Sequence, residues 1–522
     1  MKLKRKADKR MLSALIIVRG IRLSARETKK KALFSAHTDH IPTRGASGGL
    51  YDALPDSKTI IINEELCTVG SDHAVITWFT PGQKADTSVY MGRGPVNLSK
   101  DTFQLDTEYH YAELSGLEPS TRYWYQVESN GARGSLNAFI TLPRPEGKRL
   151  FSFALLSDAH LTCGDPYGDI NEIYLGKLNE YSADLLIQCI LDSKKRNVDL
   201  AVIPGDLTDS ASRLQYQMLR DQLLPRFGNT PYLLCPGNHD KFTKTGGLGE
   251  RGFLEYAANR EKSYTSAVFR NCLFLLVDSC RQDDNLGYVD REQIQWIEST
   301  LKGSGGIPSY LFLHHPCNGF DVWFGVKNYR ELQKAIRPFA GVQGIFCGHM
   351  HRSKVTTNDF ITGSRPYVVV PATVQFPCAY AVVRVHERGF EYNTYKVSRL
   401  DLSEMSRERV VFRSGGRAIY TWYSFGSIGD RSFSYSSGRL YGPKQYELSF
   451  TSSHARAAGL YDWAQSFDGA SLAYAESGNM SRVILGRYES FFSAVSAYRE
   501  KLLRYGVRAV ITKDGGIDRP WR

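Results

Sequence analysis

Five short blocks of this 522-residue chain bring carboxylates, imidazoles and one carboxamide to the ends of apolar runs. Leu155-Leu156-Ser157 leads into Asp158-Ala159-His160, Val202-Ile203-Pro204 into Gly205-Asp206, and Leu233-Leu234-Cys235-Pro236 into Gly237-Asn238-His239-Asp240. Further on, Phe312-Leu313 leads into His314-His315, and Ile345-Phe346-Cys347 into Gly348-His349-Met350-His351. Oxygen and imidazole donors without thiolate suit Fe, Mn, Zn, Co or Ni rather than a structural zinc. There are more ligands than one ion needs, whereas two ions sharing a bridging carboxylate would use them. A lone Asp or His after a strand is usually a cap or a solvated turn residue, but five such blocks in one region make that explanation untenable. The i, i+2 spacing of Asp158 with His160, and of His349 with His351, places both groups on one side of an extended segment. Glycine before Asp206, Asn238 and His349 permits tight turns and close backbone approach.

Such blocks need a scaffold that gathers strand ends. Apolar runs between Leu150 and Val370 alternate with the amphipathic stretches Ala183 to Lys195 and Arg291 to Leu301, the rhythm of α/β layers whose ligands sit beyond the carboxyl ends of the strands. Before this region, residues 57–143 alternate in short segments separated by Gly and Pro turns, which predicts an all-β sandwich. After it, residues 414–442 hold seven Ser, six Gly and seven aromatics, so 401–444 is expected to be a linker whose aromatics dock on a neighbour. Residues 445–514 follow the order βαββαβ. The expected fold is multidomain: a basic leader over 1–56, an all-β sandwich over 57–143, an α/β sandwich over 148–400, the linker, and a small ferredoxin-like module over 445–514.

The blocks Asp158-x-His160, Gly205-Asp206-x-x-Asp209, Gly237-Asn238-His239-Asp240, His314-His315-Pro316 and Gly348-His349-x-His351 together resemble the signature of calcineurin-like metallophosphoesterases. The resemblance implies Asp158, His160 and His351 as ligands of a first metal, Asn238, His314 and His349 as ligands of a second, and Asp206 as the bridge. It implies His239 and Asp240 as the catalytic pair, His239 stabilising the transition state or protonating the leaving oxygen and Asp240 supporting it from behind, and hydrolysis of a small phosphate ester, mono- or diester, by a hydroxide held between two divalent or trivalent ions. The Leu114-x-x-Leu117-x-Pro119-x-Thr121-x-Tyr123-x-Tyr125 run resembles the fibronectin type III domain of purple acid phosphatases. That family has a tyrosine ligand where this chain has Asp209, which argues against iron-tyrosinate chemistry. The segment Arg482 to Tyr488, with Ala494, Ala497 and Gly506-Val507-x-Ala509, resembles a SPOR domain, which implies peptidoglycan as a partner of 445–514 and an alternative role as an envelope-binding protein.

Composition supplies exclusions. Hydrophobic residues at 42% and charged residues at 23% rule out a disordered or collagen-like chain. The net charge of +12 is unevenly placed: residues 1–31 hold twelve Lys/Arg against two Asp/Glu, 401–522 hold seventeen against twelve, and 32–400 hold 37 against 40. A nuclease needs a basic groove along the phosphate backbone, so an acidic middle region disfavours nucleic acid. No stretch reaches the roughly 18 apolar residues of a membrane span. The apolar run Met11 to Val18 follows a basic stretch as in an export signal, but Arg19 and Arg22 interrupt it and no small-residue cleavage site follows. Localisation thus stays divided: the domain resemblances point to the envelope or periplasm, and nine cysteines without a Cys-x-x-Cys pair, expected as buried thiols, point to the cytoplasm.

Overall fold

Bulky side chains at alternate strand positions fill the space between two sheets, and this filling sets the layering of the middle region. The computed structural model describes residues 58–163, 176–244, 246–319, 321, 323–358, 363–413, 419–466, 469–475, 480–502 and 509–513; the leader expected over 1–56 lies outside them. The sequence blocks follow β1 (Arg149–Leu155), β2 (Leu200–Pro204), β3 (Tyr232–Cys235), β4 (Ser309–Phe312) and β5 (Val342–Cys347). The first three run parallel in a seven-stranded sheet, and the last two run parallel in a six-stranded sheet. Phe153 and Leu155 of β1 and Val202 of β2 meet Phe312 of β4 and Phe346 of β5 between the sheets. Phe153 packs edge-on against Phe274, Tyr310, Phe312 and Phe346 at ring-centroid distances of 5.4 to 5.9 Å, the geometry aromatic quadrupoles favour.

Helices seal the outer faces. The helix α1 (Ser182–Lys195) buries Leu185, Leu186, Cys189 and Ile190. The helices α2 (Arg291–Gly303) and α3 (Tyr329–Ile336) cover the six-stranded sheet with Ile297, Leu301, Leu332 and Ile336. Asp290 starts α2 by accepting the backbone N–H of Gln293, satisfying a donor that the first turn would otherwise leave unpaired. No helix among the described residues is long and apolar enough to cross a membrane. All nine cysteines are free and eight are buried, and burial pushes Cys235 and Cys317 up to about 12, so these thiols are core residues.

The structure corrects the expected linker. The described residues of 401–444 are folded: α4 (Leu400–Arg413) and two short helices lead into strands Ser432–Ser436 and Arg439–Tyr441, which extend the seven-stranded sheet past Gly389–Lys396. The aromatics are the reason. Phe433 and Tyr435 alternate along their strand and enter the inter-sheet core, and Gly438 at φ 77° turns the hairpin. The region expected to end at residue 400 therefore continues to Tyr441.

The two flanking regions are also not separate. At one end, Ile62–Val69, His73–Phe79 and Tyr109–Ser115 form one sheet, and a second sheet packs on it around Trp78, Tyr125 and Phe139. At the other, helices His454–Gln465 and Phe491–Lys501 alternate with strands Tyr446–Ser453, Ser471–Tyr474, Met480–Tyr488 and Val510–Lys513. Parallel pairing of Ile62 with Leu472 joins these strands to the amino-terminal ones in a single seven-stranded sheet. Ile62, Phe79, Leu448, Leu472 and Val483 share one core beneath the join, so each region covers a strand edge the other would expose.

Candidate metal centre

The five blocks converge. Ligand atoms of Asp158, His160, Asp206 and His351 lie within 4.8 Å of one another, and so do those of Asp206, His314 and His349. Asp206 belongs to both groups: its Oδ2 is 3.3 Å from His160 Nε2 and 3.1 Å from His314 Nε2. His351 Nε2 stands 3.4 Å from Asp158 Oδ1 and 3.0 Å from His160 Nε2. Asn238 Oδ1 is 3.0 Å from His314 Nε2, and His349 Nδ1 is 3.2 Å from the same atom, so the carboxamide joins the second group. His315 turns the other way, with Nδ1 3.0 Å from Ser279 Oγ, as neighbouring residues leaving a strand should.

The backbone at these tips is not the extended chain that the i, i+2 spacing suggested. Asp158, His160, Asp206, His349 and His351 all have positive φ, between 42° and 67°. The left-handed conformation costs an L-residue about 1 kcal/mol or more, and Asp and His are among the side chains that tolerate it. Asp158 and His160 serve one group, whereas His349 and His351 serve different ones. The glycines act as close-approach points. A Cβ on Gly205 would lie 2.5 Å from the His314 ring, one on Gly237 2.0 Å from Asp206 Oδ1, and one on Gly348 2.5 Å from Asp158 Oδ2.

Outer contacts fix the imidazoles. His314 Nδ1 donates to the carbonyl of Pro204 at 3.0 Å and His351 Nδ1 to Gln375 Oε1 at 2.7 Å, which turns each Nε2 lone pair inward. His160 Nδ1 lies 3.3 Å from Asp209 Oδ1 and 2.9 Å from the Nζ of buried Lys177. Asp209, at the tyrosine position of the resemblance, thus supports a ligand. Sequence reasoning missed Lys177, Gln375 and Asn285, whose Oδ1 accepts from Asn238 Nδ2 at 3.0 Å; none sits in a motif, so only folding brings them in.

His239 and Asp240 part company. His239 donates from Nδ1 to the carbonyl of Asp209 at 2.6 Å and its ring stands edge-on to His160, with 4.4 Å between centroids. Asp240, expected beside it as catalytic, is fully buried, and its carboxylate accepts from the backbone N–H groups of Leu207, Thr208 and Gly237 and from the Thr208 hydroxyl. With its acceptors spent on four donors, Asp240 ties the Asp206 turn to the Asn238 turn and is a positioning residue.

The electrostatics fit two cations. Burial alone would raise the Asp206 carboxyl, yet His314, His239 and His160 hold it well below the usual carboxylate range. Against burial, Asp206 lifts His314 to about 9, while burial and neighbouring cations lower His160 and His349 to about 3. Seven buried or half-buried O and N donors in two groups with one shared carboxylate suit two transition-metal ions, and no thiolate intrudes.

Residues 151–353 match the family model of calcineurin-like phosphoesterases, a span that contains all seven donors. A probable cyclic nucleotide phosphodiesterase of Moraxella catarrhalis is 27% identical over 221 residues, 40% of this chain and 75% of that protein. A glycerophosphodiester phosphodiesterase of Enterobacter lignolyticus is 28% identical over 236 residues, 42% of this chain and 77% of that one. Among solved structures, a dimetal phosphatase from Danio rerio superposes with a TM-score of 0.40 at 15% identity, covering 47% of this chain and 96% of that chain.

Proposed function

We propose that the chain is a metallophosphoesterase, a hydrolase of phosphoric esters, that cleaves small phosphodiesters at a dinuclear centre held by Asp158, His160, Asp206, Asn238, His314, His349 and His351; the match of residues 151–353 and the diesterase relatives support this reading. The observation that carries this reading is Asp206, a single carboxylate shared by two groups of ligands. Bound there, two ions supply Lewis acidity toward the phosphoryl oxygens and a water that ionises near neutral pH. Asp158 holds the first group in register by accepting the backbone N–H of His349 at 2.9 Å and the Ser157 hydroxyl at 2.6 Å. Asp206 Oδ1 accepts the backbone N–H of His239 at 2.9 Å, so the same carboxylate sets the place of the neighbouring imidazole. His239, with Nδ1–H committed to the carbonyl of Asp209, gives a proton from Nε2 of its cationic form to the departing alkoxide. The preference for diesters rests on the relatives named as diesterases.

The flanking regions belong to the same reading. Two packed antiparallel sheets support a fibronectin type III assignment for 57–143. Strands of 445–514 ordered fourth, first, third, second support a ferredoxin-like one. Metal-replete protein assayed on bis(p-nitrophenyl) phosphate, p-nitrophenyl phosphate, cyclic nucleotides and glycerophosphodiesters tests the proposal. Turnover of diesters above monoesters, abolished by chelator and restored by Mn²⁺, Co²⁺ or Zn²⁺, is expected. Undiminished turnover by chelated protein overturns the metal mechanism, and turnover confined to monoesters overturns the substrate class.

A further inference from the structure

The two histidines of the first ligand group are held from outside by two chain segments, and both segments end on one hydroxyl. His351 Nδ1 meets Gln375 Oε1 at 2.7 Å, and His160 Nδ1 lies 3.3 Å from Asp209 Oδ1, an acceptor that Lys177 Nζ approaches at 3.5 Å while standing 2.9 Å from the same ring nitrogen. The segments carrying Gln375 and Lys177 lie side by side, Leu178 N donating to the carbonyl of Val374 at 2.8 Å. Ser406, on the fully buried side of α4, donates from Oγ to the carbonyl of Gly176 at 2.5 Å and accepts the backbone N–H of Phe376 at 2.6 Å. One hydroxyl therefore spans the residue before Lys177 and the residue after Gln375. Gly176 makes this contact feasible, since a Cβ there would lie 2.4 Å from Val410 Cγ2 and 2.7 Å from the carbonyl of Ser406. The second group is held by other contacts among the described residues: His314 by the Pro204 carbonyl and Asn238 by Asn285.

We propose that Ser406 is a positioning residue for the first metal group alone, setting His160 through Gly176-Lys177 and the Asp209 carboxylate between them, and His351 through Gln375-Phe376. It lies outside the matched span of 151–353, on the helix that also reaches the amino-terminal sandwich through Arg407, which is 2.6 Å from Glu65. An outer contact that orients a ligating imidazole is worth roughly 10- to 100-fold in metal affinity. The inference rests on the dinuclear reading above.

Titration of metal-free protein with Co²⁺, followed by calorimetry and by the visible absorption of bound Co²⁺, tests it. Two equilibria are expected for the wild type, and Asn238→Ala, which removes a donor of the second group only, assigns them. Ser406→Ala weakens the first equilibrium about 10-fold and leaves the second within about twofold. Gln375→Leu weakens the same equilibrium, and the double variant is no weaker than the weaker single one. Gln375→Leu also carries the test if Ser406→Ala fails to fold, since it must then shift the first equilibrium alone. Equal shifts in both equilibria, no shift, or strictly additive losses overturn the role of Ser406. A wild type that binds no Co²⁺ overturns the metal centre itself.

Discussion

Two regions of this protein bury many ionisable groups, and they balance charge in opposite ways. In the metal centre, carboxylates and imidazoles face one another at about 3 Å, and burial, helped by neighbouring cationic groups, lowers His160 and His349 to about 3, which leaves their ring nitrogens unprotonated. At the junction of α4 with the seven-stranded terminal sheet, the carboxylates of Glu65 and Glu447 are each paired with two cations. Glu65 takes Lys396 at 2.5 Å and Arg407 at 2.6 Å, and Glu447 takes Arg482 at 2.8 Å and Arg487 at 3.2 Å. Even the acid and histidine group Asp72, His73 and Glu391 has Arg384 at 2.7 Å from one carboxylate and 3.6 Å from the other. A buried cluster that closes its own charge is framework; one that holds lone pairs together on strained backbone is built to receive ions.

The largest test of this contrast is Asp206→Asn. Losing the shared carboxylate removes a donor from both groups, and turnover of an aryl phosphodiester should fall by at least the roughly 10² to 10³-fold that one electrostatic stabiliser is worth. Metal analysis of the purified variant should show less than two ions per chain. Near-normal rate and stoichiometry would mean that Asp206 is not the bridge. His239→Ala separates proton transfer from metal binding: a loss of roughly 10² to 10⁴-fold is expected for a poor alkyl leaving group and a smaller one for p-nitrophenolate, with metal content unchanged. Equal losses for both leaving groups would remove His239 as the acid.

Breaking the self-neutralised region should show in stability instead. Glu447→Gln leaves Arg482 and Arg487 buried with no carboxylate between them, a change that costs roughly 3 to 5 kcal/mol. Burial acts against ionisation of Glu447, but the two arginines hold its carboxyl below the ordinary 4.5. A depressed folded value means stabilisation that is present above pH 4.5 and lost as pH falls through it. Urea unfolding should therefore show the full penalty at pH 7 and a shrinking one below pH 4.5, with turnover per folded molecule unaltered. A penalty independent of pH would assign the effect to packing.

What the sequence made legible follows from locality. Each ligand sits two to five residues beyond a strand end, so strand and donor are read together, and the glycines at 205, 237 and 348 mark the close approaches. The left-handed backbone at Asp158 and His351 was not legible, because it is imposed by the pairing of turns and not by the residue types. Residues 401–444 misled because Ser and Gly counts suggest a linker, while Phe433 and Tyr435 are strand residues only beside Gly389–Lys396. The join between Ile62 and Leu472 spans most of the chain, and no local pattern announces it. Asp240 misled by adjacency, since a motif fixes which residue is present but not which donors claim its oxygens.

The smallest effect bears on Glu64, a carboxylate of the junction that burial disfavours. Glu64 is fully buried beside the join, with Oε1 accepting from Asn137 Nδ2 at 2.5 Å, and burial raises its carboxyl from 4.5 to about 6 even though Arg487 opposes the shift. A raised folded value means that stability is complete below pH 4.5, where the acid is protonated in both states, and declines as pH rises through 6. Glu64→Gln keeps an acceptor for Asn137 and removes the charge, so at pH 7.5 it should stabilise the protein by about 2 kcal/mol, at 1.36 kcal/mol per pKa unit. At pH 4 the variant and the parent should unfold at the same urea concentration. A loss of stability at pH 7.5 would show that the Glu64 carboxylate is needed by Arg487, and that the junction closes its charge through three acids instead of two.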